Sequence, residues 1–274
     1  MSTLYITDLD GTLLNKENEI PAEGLTIINE LISNKMMFTY ATARSFTSAS
    51  IATKGLNLTV PVITYNGVMI LDGETKNILY SCDFSEKEVE NVAKMLKQKE
   101  IVILVYANIE GVERVSYLDK RTNEGLENYL NSRPNDKRFR PVSNIDSLFD
   151  GKPFYFTCIG EKNELIEIYE KFSNDERYRC TMQQEIYRQE YWCEIMPAKA
   201  TKAEAIKWLK TLYKCDRLVT FGDAINDIPM FEISDECYAV DNATLELKKL
   251  ATNVIGSNEE NGVAMWLAKN YQLN

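Results

Sequence analysis

The chain of 274 residues contains no histidine. This absence excludes Ser–His–Asp and Cys–His catalysis and any metal site built on imidazole, so acid–base chemistry must fall to Asp, Glu, Lys, Tyr or Cys. The cysteines are scattered without a C-x-x-C pair, which is typical of reduced thiols in a cytoplasmic protein and not of a disulfide framework or zinc site. They are Cys82, Cys158, Cys180, Cys193, Cys215 and Cys237.

The sequence also lacks a long apolar run. No stretch approaches the roughly 20 residues that span a bilayer, and Asp8 falls where the apolar part of a signal peptide would lie. We therefore expect a cytoplasmic protein with no membrane partner. The net charge of −10 makes nucleic acid an unsuitable partner. A hydrophobic content of 45% is that of a globular chain with one large domain or two ordinary ones.

Short apolar runs alternate with helical patterns at both ends of the chain. Predicted strands include Leu4–Thr7, Met36–Ala41, Val60–Ile63 and Leu218–Phe221, and predicted helices include one from about Pro21 and one over Thr201–Tyr213. Residues 83–195 break this rhythm with a helix that begins in a capping box at Ser85 and with the strands Ile101–Tyr106 and Pro153–Ile159. The sequence therefore predicts an α/β fold: a Rossmann-like doubly wound parallel sheet core, residues 1–82 and 196–274, with an inserted α+β module, residues 83–195.

Two acidic motifs follow predicted strands. Asp8-Leu9-Asp10-Gly11-Thr12 comes after the first strand, and Gly222-Asp223-Ala224-Ile225-Asn226-Asp227 comes after Leu218–Phe221. Strand ends are where an open α/β sheet places its chemistry, and paired carboxylates can hold Mg²⁺ or act as nucleophile and acid. The first motif alone is equally typical of a surface turn. The second motif, in its place, favours a functional site.

These motifs resemble those of the haloacid dehalogenase superfamily. Ala41-Thr42-Ala43-Arg44 resembles the second motif of that family, and Lys202, after Glu194-Ile195-Met196-Pro197, resembles the lysine of the third. The segments Val240–Ala243 and Asn258–Ala264 resemble the Cof-type, or type IIB, phosphatases. The resemblance implies that residues 83–195 form a C2B-type cap over the core.

The resemblance also implies a role for each residue of the site. Asp8 would be the nucleophile, Asp10 the general acid and base, and Lys202 the cation that neutralises Asp8 and the phosphoryl oxygens. Mg²⁺ would be held by Asp8, Asp223 and the backbone carbonyl of Asp10. The expected phosphate ligands, with supporting residues after them, are Leu9, Thr42, Ala43, Lys202 and Asn226, then Asp227 and Arg44.

Several assignments keep an alternative. Arg44 is either a substrate contact or part of an ion pair at the start of a helix, and Lys199, Lys207 and Lys210 compete with Lys202. Asn66 and Gly67 are expected to shape the floor of the site, and Asn242 is expected to be structural, with contact to the site as its alternative. Alanine stands where the family often has glycine, at Ala43, Ala203 and Ala224. Candidate specificity residues are Tyr187, Arg188, Tyr191 and Trp192.

The sequence thus predicts a Mg²⁺-dependent phosphatase. It would hydrolyse small phosphate monoesters, foremost sugar phosphates, through an aspartyl phosphate on Asp8. Its partner would be a small phosphorylated metabolite, and the protein would be a monomer or a small homo-oligomer. The alternatives are a phosphomutase of the phosphomannomutase type, which returns the phosphoryl group to the sugar, and a non-catalytic phosphometabolite-binding protein.

Overall fold

A computed structural model describes residues 2–184 and 189–271. The chain divides into two compact units. One unit comprises the residues up to Ser81 together with those from Thr201 onward, and the other comprises Cys82–Ala200. Each unit has its own sheet.

The helices and strands are as follows, in chain order. The first part of unit one contains β1 (Thr3–Thr7), α1 (Ala22–Ser33), β2 (Met37–Tyr40), α2 (Phe46–Ala52), β3 (Val62–Thr64), β4 (Met69–Leu71) and β5 (Ile78–Ser81). Unit two contains α3 (Glu86–Leu96), β6 (Val102–Ile109), β7 (Val112–Leu118), α4 (Glu124–Asn131), β8 (Phe139–Val142), β9 (Lys152–Gly160), α5 (Lys162–Ser173), β10 (Tyr178–Gln184) and β11 (Tyr191–Pro197). Unit one resumes with α6 (Lys202–Tyr213), β12 (Arg217–Gly222), α7 (Ile228–Glu232), β13 (Glu236–Val240), α8 (Leu245–Leu250), β14 (Asn253–Ile255) and α9 (Gly262–Asn270).

Unit one is built on a parallel sheet with the strand order β14-β13-β12-β1-β2. Its central strands are apolar and buried, as is usual for parallel strands that are covered on both faces. The chain leaves β1 toward β2 on one side, whereas β12 lies on the other. This change of direction opens a crevice at the carboxyl ends of β1 and β12, where ligands bind in such sheets. The predicted α/β fold with a parallel sheet is confirmed.

Unit two contains a six-stranded sheet with the order β10-β11-β9-β6-β7-β8, in which only β7 and β8 pair in parallel among the described strands. Apolar side chains of α3 and α5 pack on one face of this sheet. The capping box predicted at Ser85 is present, with Glu88 as its second member. The unit extends beyond the expected limit at residue 195, because β11 continues its pairing with β10 as far as Pro197.

Within the residues that the structure describes, no helix combines the length and the apolar character needed to cross a lipid bilayer.

Candidate active site

Three strand ends of unit one bring the side chains of the motifs to one edge of the sheet. Thr7 pairs with Phe221 on β12 and with Tyr40 on β2, so the strands end in register. Asp8 directly follows β1, Asp223 directly follows β12, and Thr42 lies just beyond β2. The backbone N–H of Asp8 donates to the carbonyl of Phe221 at 2.9 Å. The sheet itself therefore holds the two acidic motifs side by side.

Lys202 forms the buried ionic centre of this edge. Its ammonium lies 2.5 Å from Asp8 Oδ1 and 2.7 Å from Asp227 Oδ1, and its side chain is 1% exposed. Thr201 starts α6 by accepting the N–H of Glu204 on its side chain, so Lys202 is the first residue of the helix. Burial acts to lower the pKa of Lys202, but Asp227 and Asp8 outweigh it and raise that pKa. Lys202, not its three competitors, meets the acids.

Asp8, Asp223 and Asp227 form a carboxylate group around the ammonium. Each has one oxygen within 4.8 Å of the other two. Burial raises the pKa of Asp8 well above its usual range, while the Lys202 ammonium acts to lower it. Burial, followed by repulsion from Asp227, raises the pKa of Asp223 to about 6. Within the described chain Lys202 pairs with Asp8 and Asp227, and no ion pair is found for Asp223, so the charge of the three carboxylates is not fully compensated.

The donor set of this group fits a hard divalent cation. All its donor atoms are carboxylate oxygens, the ligands that Mg²⁺ prefers. Both oxygens of Asp227 are already occupied, since Oδ1 binds Lys202 and Oδ2 accepts the N–H groups of Asp223 and Ala224. Asp8 and Asp223 are therefore the better direct ligands. Thr12 steadies Asp223 by donating its hydroxyl to Oδ1 at 3.0 Å, a contact that the sequence analysis did not identify.

The Asp10 carboxylate stands apart from this group. It binds Arg44, whose Nε lies 2.9 Å from Oδ2 and whose Nη2 lies 2.5 Å from Oδ1. Nη2 also donates to Asn18 Oδ1 at 2.7 Å. The hydrogen bond with Asp10 raises the pKa of Arg44. Arg44 therefore pairs with the first acidic motif, which neither of its expected roles included, and any metal contact of Asp10 is left to its backbone carbonyl.

The residues expected to bind phosphate lie around the same strand ends. Thr42 is buried, and its hydroxyl accepts the N–H of Arg44 at 3.1 Å. Leu9 is buried, and its carbonyl accepts the N–H groups of Thr12, Leu13 and Leu14. Ala43 is exposed beside Thr42. Asn226 lies in a single turn of 3₁₀ helix, Ile225–Asp227, that follows Asp223. Their roles toward a phosphate stay predictions.

This arrangement can be compared with known families. The family model described as haloacid dehalogenase-like hydrolase matches residues 5–267. The chain belongs to this family. The protein is thus a hydrolytic enzyme of the superfamily that its motifs resemble.

Individual relatives of this hydrolase match it over nearly its whole length. The 5-amino-6-(5-phospho-D-ribitylamino)uracil phosphatase YwtE of Bacillus subtilis is 29% identical, with 95% of each chain covered. The crystal structure of TM0651 from Thermotoga maritima has a TM-score of 0.83 at 23% identity and covers 99% of this chain and 98% of its own. A haloacid dehalogenase-like hydrolase from Bacteroides thetaiotaomicron has a TM-score of 0.80 at 20% identity, covering 99% of this chain and all 100% of its own.

A left-handed turn links several motifs of the hydrolase. Tyr65, Asn66 and Gly67 have φ values of 52°, 53° and 99°. The N–H of Tyr65 donates to the carbonyl of Arg44, and the N–H of Asn66 donates to that of Thr42. Asn226 Nδ2 donates to Asn66 Oδ1 at 3.4 Å. The turn therefore joins the loop after β2 to Asn226.

The alanines at the glycine-type positions carry no backbone strain. Ala224 is extended, with φ −127° and ψ 172°, and Ala203 lies in α6. Neither these two nor Ala43 belongs to the non-glycine residues with positive φ. The left-handed region is the one in which a Cβ is costly, so the added methyl groups are tolerated here.

The expected specificity residues fall into two groups. Tyr187 and Arg188 lie outside the described residues. Tyr191 and Trp192 are neighbours on β11, so they point to opposite faces of its sheet. Tyr191 packs against the apolar core of unit two, whereas the Trp192 ring lies 5.7 Å from that of Tyr129. Tyr191 is accordingly partly buried against this core, and Trp192 stays a candidate specificity residue.

Proposed function

We propose that this hydrolase is a phosphatase that cleaves small phosphate monoesters through a phosphoryl group carried on Asp8. The observation that carries the proposal is the buried Lys202 ammonium held between Asp8 and Asp227, next to Asp223. The ammonium holds the Asp8 carboxylate in one orientation, and its positive charge can neutralise the negative charge of a phosphoryl group. A binding protein would need the cation but no nucleophile.

In the first step, an oxygen of Asp8 attacks phosphorus. Lys202 occupies Oδ1, and no residue in the described ranges is found to donate to Oδ2, which supports Oδ2 as the attacking atom. The new bond joins Asp8 to phosphorus while the ester P–O bond breaks. A proton on Asp10 passes to the leaving oxygen, which requires Asp10 to release Arg44. The Ala43 N–H, the Thr42 hydroxyl and Asn226 would hold the phosphoryl oxygens.

In the second step, water attacks phosphorus on Asp8. Asp10, now a carboxylate, takes the proton of the water, the bond between Asp8 and phosphorus breaks, and inorganic phosphate leaves. In the structure the Asp10 carboxyl group binds Arg44, so this contact must open for Asp10 to reach the water.

The proposal includes Mg²⁺ at the carboxylate group, with Asp8, Asp223 and the Asp10 carbonyl as its protein ligands. When bound, the cation supplies charge neutralisation at the phosphoryl oxygens. The uncompensated charge of the three carboxylates and the raised pKa of Asp223 support this choice.

Sugar phosphates and related polyol phosphates are the proposed substrates. The Bacillus subtilis relative named above is described as acting on a phosphoribityl compound, which is a polyol phosphate. We also propose that unit two acts as the cap that selects among such esters, with Trp192 as a contributor. The reaction would take place in the cytoplasm, and six free cysteines support this setting.

The test is phosphate release from a panel of esters that includes an aryl phosphate, sugar phosphates and a ribityl phosphate, each with Mg²⁺ and with EDTA. Wild type should release phosphate only with Mg²⁺, and Asp8→Asn should lose about 10³-fold or more of this activity with an unchanged circular dichroism spectrum. The matched control is Asp216→Asn, the same exchange at an exposed site. Isomerised sugar phosphate without free phosphate would indicate a mutase instead, and activity retained by Asp8→Asn would remove Asp8 as nucleophile.

A further inference from the structure

Two asparagines from the last part of the chain hold the turn that follows Asp10. Asn242 Nδ2 donates to the carbonyl of Gly11 at 2.7 Å, and Asn258 Nδ2 donates to the carbonyl of Leu14 at 2.9 Å. Asn242 Oδ1 in turn accepts the N–H of Asn258 at 3.0 Å. We call Asn242 and Asn258, joined in this way, the asparagine clamp.

The turn begins immediately after Asp10, and the Leu9 carbonyl accepts the N–H groups of Thr12, Leu13 and Leu14 at 3.3, 3.0 and 2.9 Å. Those bonds fix the shape of the turn but not its position on the sheet. Its position depends on the buried side chains of Thr12, Leu13 and Leu14, on the Thr12 hydroxyl bound to Asp223, and on polar contacts with the end of the chain. Among the latter, the Lys16 N–H donates to Glu259 Oε1 at 2.8 Å.

The clamp reaches the turn from the edge of the sheet. Asn242 follows β13, and Asn258 follows β14, whereas the turn follows β1. In the strand order, β12 separates β13 from β1, so the two loops extend past the end of β12 to make these bonds. A loop that serves only to connect β13 with α8 would not need to reach the carbonyl of Gly11.

Asp10 is consequently held from two sides. Arg44 binds its carboxylate, and the clamp binds the carbonyls of the turn that begins at the next residue. We infer that Asn242 and Asn258 are positioning residues for Asp10: through the carbonyls of Gly11 and Leu14, they set where its carboxyl group stands relative to Asp8. The inference rests on the proposed phosphatase function, in which Asp10 protonates the leaving group.

A positioning role has a signature that a structural role lacks. An alkyl leaving group needs a proton from Asp10, whereas a good aryl leaving group departs without one. Loss of the clamp should therefore reduce kcat/KM for an alkyl phosphate while sparing an aryl phosphate. General loss of folded protein would reduce both in the same proportion.

The variants are Asn242→Asp and Asn258→Asp, which keep the shape of each side chain and remove the donor. Asn270→Asp is the matched control, since among the described residues the exposed Asn270 side chain binds only the Trp266 carbonyl within its own helix. Asp10→Ala sets the scale of the effect. Each variant is assayed with an alkyl and an aryl phosphate, and its fold is checked by thermal unfolding.

We expect each clamp variant to lose about tenfold in kcat/KM for the alkyl ester and less than about twofold for the aryl ester. The tenfold loss is smaller than the loss expected when a general acid is removed completely. Asp10→Ala should show a larger difference between the alkyl and the aryl ester, and Asn270→Asp should show no difference. Equal losses on both esters, or unchanged values on both, would overturn the inference, as would an Asp10→Ala variant without the contrast. Absence of Asp8-dependent phosphate release in wild type would instead refute the proposed function itself.

Discussion

Asp223 lies in a group of three carboxylates, and burial together with Asp227 raises its pKa to about 6. Thr12 donates a hydroxyl to one of its oxygens, which acts in the opposite direction. In the metal-free protein, an ionised Asp223 therefore opposes folding at neutral pH. A residue that lowers the stability of the fold in this way and lies in the candidate site is typical of a functional residue, not of a stabilising one.

We expect Asp223→Asn to stabilise the metal-free protein at neutral pH. A carboxyl with a raised pKa in the folded state binds its proton more tightly there, so it stabilises the fold below its unfolded pKa, and this contribution is lost as pH rises through the folded pKa. For Asp223 the window runs from 3.8 to about 6. In EDTA the variant should exceed wild type by up to about 3 kcal/mol near pH 7 and match it near pH 4.

Mg²⁺ should offset this difference. A ligand that binds only the folded state adds about 2.7 kcal/mol at a hundredfold excess over its Kd, and Asp223→Asn should forfeit most of that gain. Thermal unfolding at several pH values, with Mg²⁺ or EDTA, measures both effects. Glu232→Gln removes one charge at an exposed position at the end of α7 and serves as control. An equal Mg²⁺ gain in wild type and variant would contradict the proposed ligand role of Asp223.

The left-handed turn Tyr65–Gly67 shows how one short element holds several motifs in place. A Cβ on Gly67 would lie 2.0 Å from the Thr201 carbonyl oxygen and 2.8 Å from the Lys202 nitrogen. The backbone of the turn therefore packs directly on the start of α6. Only glycine allows this approach together with a φ of 99°.

Gly67→Ala should lower both stability and activity. The methyl group forces the turn away from Thr201, and the start of α6 must shift with it, so Lys202 loses its position between Asp8 and Asp227. We expect a loss of about 3 kcal/mol in the free energy of unfolding and a kcat reduced well beyond the fraction unfolded. Gly73→Ala is the control, because nothing lies within 4 Å of its Cβ position. Equal stability of the two variants in denaturant unfolding would contradict this account.

Elements with strong local signals could be predicted from the sequence. Apolar runs followed by Asp gave the strands before Asp8 and Asp223, and the capping box at Ser85 marked the start of α3. The turn at Tyr65 and the asparagine clamp could not be predicted, because they depend on long-range pairing: Asn242 and Gly11 are 231 residues apart. The contact of Asp10 with Arg44 could not be predicted for the same reason, since it joins the loops after two different strands.

At the scale of the whole molecule, a chain with a net charge of −10 is proposed to bind an anionic ester. Overall charge opposes that encounter, so the attraction must be local. Lys202 and Arg44 are the basic side chains that the described structure brings to the acidic motifs, and both are engaged with carboxylates. A bound cation is the remaining source of positive charge, which is why the proposed function includes one.

The outline of the molecule was also predictable, because alternation of strand and helix patterns favours a parallel sheet over any other architecture. The limit of the second unit was less predictable. The sequence analysis places the border between residues 195 and 196, so it counts Met196 and Pro197 as core. In the structure β11 includes both residues and pairs with β10 as far as Pro197. Strand pairing, which local sequence does not report, decides where a unit ends.

The central claim is that Asp8 carries the phosphoryl group, and trapping that group tests it most directly. Asp10→Ala is mixed with an aryl phosphate and Mg²⁺ and quenched in acid. An activated leaving group still allows Asp8 to be phosphorylated, whereas the loss of the base delays attack by water, so the intermediate should accumulate. Mass spectrometry of the peptides should then find one added phosphoryl group on Asp8, with none after the same treatment of Asp8→Asn. Turnover by wild type without a phosphorylated Asp8 in the trapped variant, or a phosphoryl group on another residue, would contradict the account.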